Sequence, residues 1–170
     1  MKFIELRRHT DNDGDQLTDE GVTAAERIAG RLHPRYDMFV SSGAARASQT
    51  LQIWRTAVGG EPPVEEQTGL RSRQEDRWRD AYKSAGSGEL ARMRDADPEL
   101  VLADSATLAA ALTEIFDRLP EGGRALVVGH SPTNEAAVLG LTGEFVDPLD
   151  KGAGVLVIQE AGSYRVEPVG

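Results

Sequence analysis

The chain has 170 residues, of which 39% are hydrophobic and 28% charged, and a formal net charge of −9. That length suits one domain with its own core, and the balance excludes a disordered chain. The acidic charge and the scarcity of aromatic residues argue against a nucleic-acid or anionic-membrane binder, and the absence of cysteine removes disulfides, thiolate metal sites and cysteine nucleophiles together.

Met1-Lys2-Phe3-Ile4-Glu5 places an acid too early for a signal-peptide core, and no apolar run reaches the about 20 residues that a spanning helix needs. The chain is therefore expected to be cytoplasmic. Residues 2–8 read as a short buried strand on Phe3, Ile4 and Leu6, and 11–15 as a loop rich in Asp and Gly. Thr18 fits an N-cap for a helix whose stripe is Val22, Ala25, Ile28 and Leu32, ended by His33-Pro34. Met38, Phe39 and Val40 predict a second strand. Ser42 is placed to cap the next helix, with Ala44, Ala47, Leu51, Trp54 and Val58 on its apolar face and Gly59-Gly60 at its end. A short extended piece follows Pro62-Pro63, and residues 70–98 are Arg-rich and partly helical. Another helix is expected from Asp104 or Ser105, with Leu108, Ala111, Leu112, Ile115 and Leu119 buried. Ala125-Leu126-Val127-Val128 is the clearest buried strand, a helix starts at Pro132, and two strands close the chain near 153–159 and 163–167. Alternating strands and helices over the first two-thirds predict a three-layer α/β/α sandwich with a mainly parallel sheet. With no repeat, linker or low-complexity tract, residues 1–170 are expected to form a single domain.

His9 directly follows the first strand and His130 follows the strand 125–129. In open α/β sheets ligands bind outside the carboxyl ends of the strands, where helix N-termini point. Either histidine alone reads as a polar residue at a strand end; the two together read as a site. Pro132 suits the first helical turn and Ser131 the N-cap, which would leave helix amides beside His130. Of the 19 basic residues 16 are arginine, the residue for bidentate phosphate recognition. Arg7 and Arg8 flank His9, though only one can face the same side of the strand as its pocket, and Arg46 falls in the first turn of a helix. Arginines around two histidines make a poor metal site and a good site for a phosphate dianion. Their field also favours the neutral imidazole that a nucleophile requires. Asp11, Asp13 and Asp15 lack the glycine placement and the closing Glu of a calcium loop and read as a solvated turn.

Four segments then carry a family likeness. Leu6-Arg7-Arg8-His9 resembles the L-x-R-H motif that opens the histidine phosphatase superfamily. Leu17-Thr18-Asp19-Glu20-Gly21 is similar to its L-T-x-x-G helix start, and Ser41-Ser42-Gly43-Ala44-Ala45-Arg46-Ala47-Ser48-Gln49-Thr50 to its S-S-x-x-x-R-x-x-Q-T segment. Val127-Val128-Gly129-His130-Ser131-Pro132 resembles the V-G-H-x-P block of the short bacterial phosphohistidine phosphatases. The blocks come in the family's order and span nearly the whole chain. The resemblance implies a phosphatase that needs no metal or other cofactor. In it His9 takes the phosphoryl group, and Arg8, Arg46, His130 and Ser131 bind that group. The expected substrate is a phosphorylated small molecule or a phosphoprotein, including protein phosphohistidine, with neither nucleic acid nor membrane as partner. A phosphomutase, or a non-catalytic phosphate-binding domain that keeps the pocket, is the alternative.

The chain departs from the family pattern at three places. Thr10 stands where the family has Gly, Gly43 where it has Pro, and Ser72 where the mutase-type L-x-E-R block has the catalytic Glu. Glu75, ahead of Asp76, is the nearby candidate for the general acid; both equally suit a solvated face pairing with Arg71, Arg73, Arg77 and Arg79. Loss of the family Glu tilts the reading toward a leaving group that needs little protonation, as phosphohistidine does.

Overall fold

In the computed structural model, which describes residues 1–169, the alternation read from the sequence becomes a six-stranded sheet with helices on both faces. The first strand, β1 (Lys2–Arg8), leads into a small hairpin of β2 (Asn12–Asp13) and β3 (Gln16–Leu17), then α1 (Asp19–Ala29). Next come β4 (Met38–Ser41), α2 (Ala45–Ala57) and β5 (Val64–Glu66). Three helices follow, α3 (Glu75–Ala85), α4 (Leu90–Ala96) and α5 (Pro98–Arg118), and then β6 (Arg124–Gly129), α6 (Thr133–Thr142), β7 (Gly154–Glu160) and β8 (Ser163–Pro168). The sheet order is β5-β4-β6-β1-β7-β8. β5, β4, β6 and β1 run parallel, and β7 and β8 add antiparallel strands beside β1.

Period-two alternation divides the core into two. Ile4, Leu6, Val40, Ala125 and Val127 pack against Leu100, Leu112, Phe116, Ala136 and Val138 of α5 and α6. Phe39, Leu126 and Val128 face the other way, onto Ala25 of α1 and Ala47, Leu51 and Trp54 of α2. Glu5 and Arg7 also take this second side. There Arg7 Nε donates to Glu5 at 2.6 Å, Tyr36 donates to the same carboxylate at 2.8 Å, and the guanidinium lies over the Trp54 ring. Arg7 Nη1 also donates to the Gly152 carbonyl at 3.0 Å, which ties the loop before β7 to the end of β1.

Four helix starts or ends differ from the sequence expectation. α5 begins at Pro98, capped by Asp97, whose side chain accepts from the Leu100 amide; Asp104 and Ser105 are buried mid-helix. An Asp-Pro pair is a stronger start than an interior Asp-Ser. α1 stops at Ala29, before His33-Pro34, with Gly30 as its C-cap. The N-cap of α2 is Ala44, not Ser42, and that of α6 is Pro132, not Ser131. Thr18 does cap α1, accepting from the Gly21 amide and donating to Asp11. A Cβ at Gly21 would stand 2.0 Å from the Asp11 carbonyl oxygen, so only glycine lets the loop after β1 cross the helix here.

Replacing Glu5 with Ala strands Arg7 as a buried unpaired charge and is expected to cost about 3–5 kcal/mol. Urea denaturation at neutral pH measures this, and Glu5→Gln, which keeps an acceptor, should lose less.

Candidate functional site

The parallel register pairs Arg8 with Gly129, so the residues that follow each, His9 and His130, emerge side by side from the carboxyl ends of β1 and β6. Their ring centroids lie 5.3 Å apart at an interplanar angle of 63°. Both are buried. Gly129 gives this approach room: a Cβ there would meet Asn134 Oδ1 at 2.4 Å, and Asn134 Nδ2 donates to the Arg7 carbonyl, joining α6 to β1.

Hydrogen bonds set the tautomers. His9 Nδ1 lies 2.8 Å from the Thr10 carbonyl oxygen, which only accepts, so Nδ1 holds the proton and Nε2 keeps its lone pair. For His130 the roles invert. Arg46 Nη2 sits 3.3 Å from His130 Nδ1 and can only donate, so Nε2 carries the proton, given to Ser42 Oγ at 2.7 Å. Burial holds His9 down at about 4, helped by the charges of Arg46, Arg8 and Lys151 and opposed by the Thr10 bond. Burial likewise lowers His130 to about 3, with Arg46, His9 and Arg71 adding to it.

The arginines occupy distinct stations. Arg8 takes the face opposite Arg7, donating Nη1 to the Leu149 carbonyl at 2.9 Å. Arg46, on the first turn of α2, donates to Asp15 at 2.8 Å and reaches His130 with its other nitrogen. The cleft over the histidines has a volume of about 640 Å³. Beyond Arg8, His9, Arg46 and His130 its walls present Arg71, Arg79 and Lys151, the rings of Trp78 and Tyr82, and Ser131. Among the described residues no group of three or more histidines or carboxylates is placed to share a metal ion, and none of the helices is long and apolar enough to cross a membrane.

His9, Arg8, Arg46, His130 and Ser131 thus come together, as does Glu75, though in a different guise. Its carboxylate is half-exposed on the cleft wall and accepts from Arg71 Nε at 2.8 Å. Asp76 is solvent-exposed and pairs with Arg79. Ser72 turns to Asp104, donating at 2.6 Å to the carboxylate that also accepts from Trp78 Nε1 at 2.5 Å. Thr10 is buried with its amide on Thr50 Oγ1 at 3.2 Å. Gly43 sits at φ 95, where the ring of a proline could not go. Ser131, instead of capping α6, gives its hydroxyl to Glu135. Sequence reasoning missed Ser42 as a partner of His130, read Asp15 as part of a solvated turn, and missed Lys151, Tyr82 and Glu135 altogether. Ser42 had a signal in its place directly after a strand end; Lys151 and Tyr82 reach the cleft only through tertiary packing.

The sequence matches the histidine phosphatase superfamily (branch 1) over residues 4–154. No curated protein sequence matches the chain significantly. Among solved structures, Bacillus stearothermophilus YhfR superposes with a TM-score of 0.76 at 18% identity, covering 99% of this chain and 96% of that one. The mycobacterial glucosyl-3-phosphoglycerate phosphatase in complex with inorganic phosphate gives 0.74 at 16% identity, covering 98% and 96%. The Entamoeba histolytica phosphoserine phosphatase in complex with 3-phosphoglyceric acid gives 0.72 at 20% identity, covering 98% and 95%.

Because both histidines protonate less readily in the native state than in the unfolded chain, the pair weakens the native state as pH falls from 6.5, to about 4 for His9 and about 3 for His130, and is without effect above that window. In NMR titrations the ring resonances of His9 and His130 are expected to show no step above about pH 5. A step near 6.5 for either would refute the dehydrated, cation-flanked description.

Proposed function

The chain belongs to the histidine phosphatase superfamily, and we propose that it is a phosphatase that hydrolyses small anionic phosphomonoesters through a phosphohistidine formed on His9. The observation that supports this best is the pair of neutral, buried histidines 5.3 Å apart with Arg8 and Arg46 beside them. His9, its Nδ1 proton held by Thr10, directs the Nε2 lone pair at phosphorus. Arg8 and Arg46 take the non-bridging oxygens, and charge that spreads over them in transfer meets fixed cations away from bulk water. The incoming dianion also draws a proton onto His130 Nδ1, since a nearby negative charge favours the imidazolium. Ser42 keeps the ring oriented through Nε2. Water then attacks phosphorus from the side the leaving group vacated, the P–N bond breaks, and phosphate departs with His9 neutral again. Charge neutralisation by guanidinium and imidazole gives this scheme no step that calls for a metal.

The outer cleft bears on the substrate. Arg8, Arg46 and His130 suffice for one phosphate, which leaves Arg71, Arg79 and Lys151 for a second anionic group, with Trp78 and Tyr82 beside them. Of the structural neighbours, one is described with 3-phosphoglyceric acid and another is a glucosyl-3-phosphoglycerate phosphatase; both names carry a carboxylate beside the phosphoester. Protein phosphohistidine is the second reading, favoured by a rim of exposed Arg71, Arg79, Tyr82 and Lys151 that would admit a protein-borne phosphate.

His9→Ala is expected to lower turnover of p-nitrophenyl phosphate about a thousandfold or more, with loss of the acid-labile phosphoenzyme in rapid-quench trapping. Arg46→Ala should cost about a hundredfold in kcat, the scale of one lost transition-state donor. Excess chelator should leave turnover unchanged, and a loss restored by one metal ion would overturn the scheme.

Arg71→Ala and Arg79→Ala should raise KM for a carboxylate-bearing phosphoester about tenfold while sparing p-nitrophenyl phosphate. Equal KM changes for the two substrates would remove the second-anion role.

A further inference from the structure

The proposed phosphatase lacks a positioned proton donor for its leaving group. Glu75 is turned to Arg71 on the half-exposed rim, accepting from its Nε. Ser72 turns its hydroxyl to Asp104. One carboxyl near the site has no part in the scheme above. Glu135, on the first turn of α6, is 1% exposed. Its Oε2 accepts from the Ser131 hydroxyl, while Oε1 finds no protein partner. With that carboxyl protonated the same contact runs the other way, Oε2–H to Ser131 Oγ, and frees the hydroxyl proton for the cleft. Ser131, unlike Glu135, lines the cleft, one residue beyond His130.

We propose that Glu135 and Ser131 form a proton relay to the leaving group, with Glu135 storing the proton and the Ser131 hydroxyl passing it into the cleft. This rests on the phosphatase reading. As the P–O bond breaks, the leaving oxygen takes the hydroxyl proton of Ser131, and Ser131 Oγ takes the carboxylic proton of Glu135. The electron pair of the broken bond stays with the oxygen that is protonated, and Glu135 is left as a carboxylate. In the second step the attacking water returns a proton along the same path, so the cycle closes with Glu135 neutral.

The surroundings suit such a store. Burial raises Glu135 to about 7, against the opposing effects of the Ser131 bond, the Leu149 amide and the charge of Arg8. An acid that ionises near the working pH is the best matched to giving and retaking a proton. The charged and titratable neighbours, element by element, leave this balance to Arg8. On β1, Arg7 is held by Glu5 and Gly152, whereas Arg8 has a buried Nε without a protein partner. Directly after β6 there is His130, neutral in the empty cleft and turned to the phosphate rather than to Glu135 when it takes a proton. On α5, Asp104 is taken by Ser72 and Trp78, and in the loop before β7, Lys151 pairs with Asp11. A phosphate dianion on Arg8 offsets the field of that guanidinium, so Glu135 keeps its proton until transfer and can lean on Arg8 once ionised.

The test compares β-glycerophosphate, whose alkoxide needs a proton, with p-nitrophenyl phosphate, whose phenolate does not. Glu135→Gln keeps the shape and the bond to Ser131 but has no proton to lend. It should slow the alkyl ester by about a hundredfold and the aryl ester by less than about threefold. The wild-type alkyl-ester profile should show an alkaline limb near pH 7, and Glu135→Gln should abolish it. Ser131→Ala should reproduce the leaving-group pattern with Glu135 intact. Glu75→Gln should slow both esters alike. In wild-type protein the infrared band of a protonated carboxyl should titrate near pH 7 and be missing from Glu135→Gln. Equal slowing of both esters by Glu135→Gln, survival of the alkaline limb, a leaving-group pattern in Glu75→Gln instead, or no such infrared band would each overturn the relay. Wild-type protein inactive on both esters would bring down the phosphatase reading and the relay with it. Activity on both, with an unchanged pattern in the variants, would bring down the relay alone.

Discussion

The pairing of Arg8 with Gly129 across parallel β1 and β6 is the constraint on which the site depends. Shifted by one residue, the register would turn each strand's side chains to the opposite face and separate the two histidines along the strand axis. Several unrelated contacts hold it in place. Asn134 bridges from α6 to the Arg7 carbonyl, and the Ser42 amide donates to the Val128 carbonyl from the neighbouring strand. Antiparallel β7 adds the Arg7–Gly152 tie on the other side. Strand alternation then sorts the two arginines. Arg7 goes under Trp54 as part of the core and Arg8 goes to the cleft, so adjacent residues of one type end in different roles.

A protein of net charge −9 that gathers cations in one cleft creates a strong local field against a repelling background. The outer acids limit that field without filling the site. Asp15 occupies one side of the Arg46 guanidinium, and Asp11 occupies Lys151. These pairs are solvent-exposed on at least one side and worth little. An anion that enters the cleft exchanges one weak partner for a better one. The histidines contribute in the opposite sense: neutral in the empty cleft, they add hydrogen bonding and a lone pair without adding charge that would repel the guanidinium groups.

Much of the architecture was legible because period and punctuation agree. The strands at 2–8, 38–41 and 124–129 are apolar runs bounded by loop residues, and Thr18 announces α1 by its own chemistry. Three of the four misplaced boundaries were those where a polar residue had two uses. Asp104 and Ser105 look like a cap in sequence, but they are buried in mid-helix and Asp104 accepts from two donors on the α3 side. Ser42 and Ser131 look like caps too, yet Ser42 Oγ accepts from His130 Nε2 and the Ser131 hydroxyl donates to Glu135. A side-chain hydroxyl can accept from a helix amide or pair with a side chain in the cleft equally well, so local sequence cannot decide which partner it takes. His9, Arg8, Arg46 and His130 were legible as candidates from their places at strand and helix ends. Lys151 and Tyr82 were not, because nothing local says that the loop before β7 and the exposed side of α3 meet across one cleft.

The wall that α3 contributes combines a fixed base with an exchangeable rim. Asp104 accepts from Ser72 and Trp78 in the buried layer, which locks the start of α3 against α5. Breaking that arrangement would leave a buried carboxylate or its donors unsatisfied, at a cost of about 1–3 kcal/mol per group. On the outer side of the same segment, Arg71–Glu75 and Asp76–Arg79 are surface pairs that contribute little to the fold. Rim residues can therefore change, or swap partners when a substrate arrives, with little loss of stability, while the base holds the Trp78 ring at a fixed depth. The position that bears Glu in the mutase-type pattern is Ser72 here, and it belongs to the base rather than to the rim. With the donor on α6 that we propose, α3 is left free to serve as an anchored wall, and the proposed proton handling and substrate selection fall on different helices.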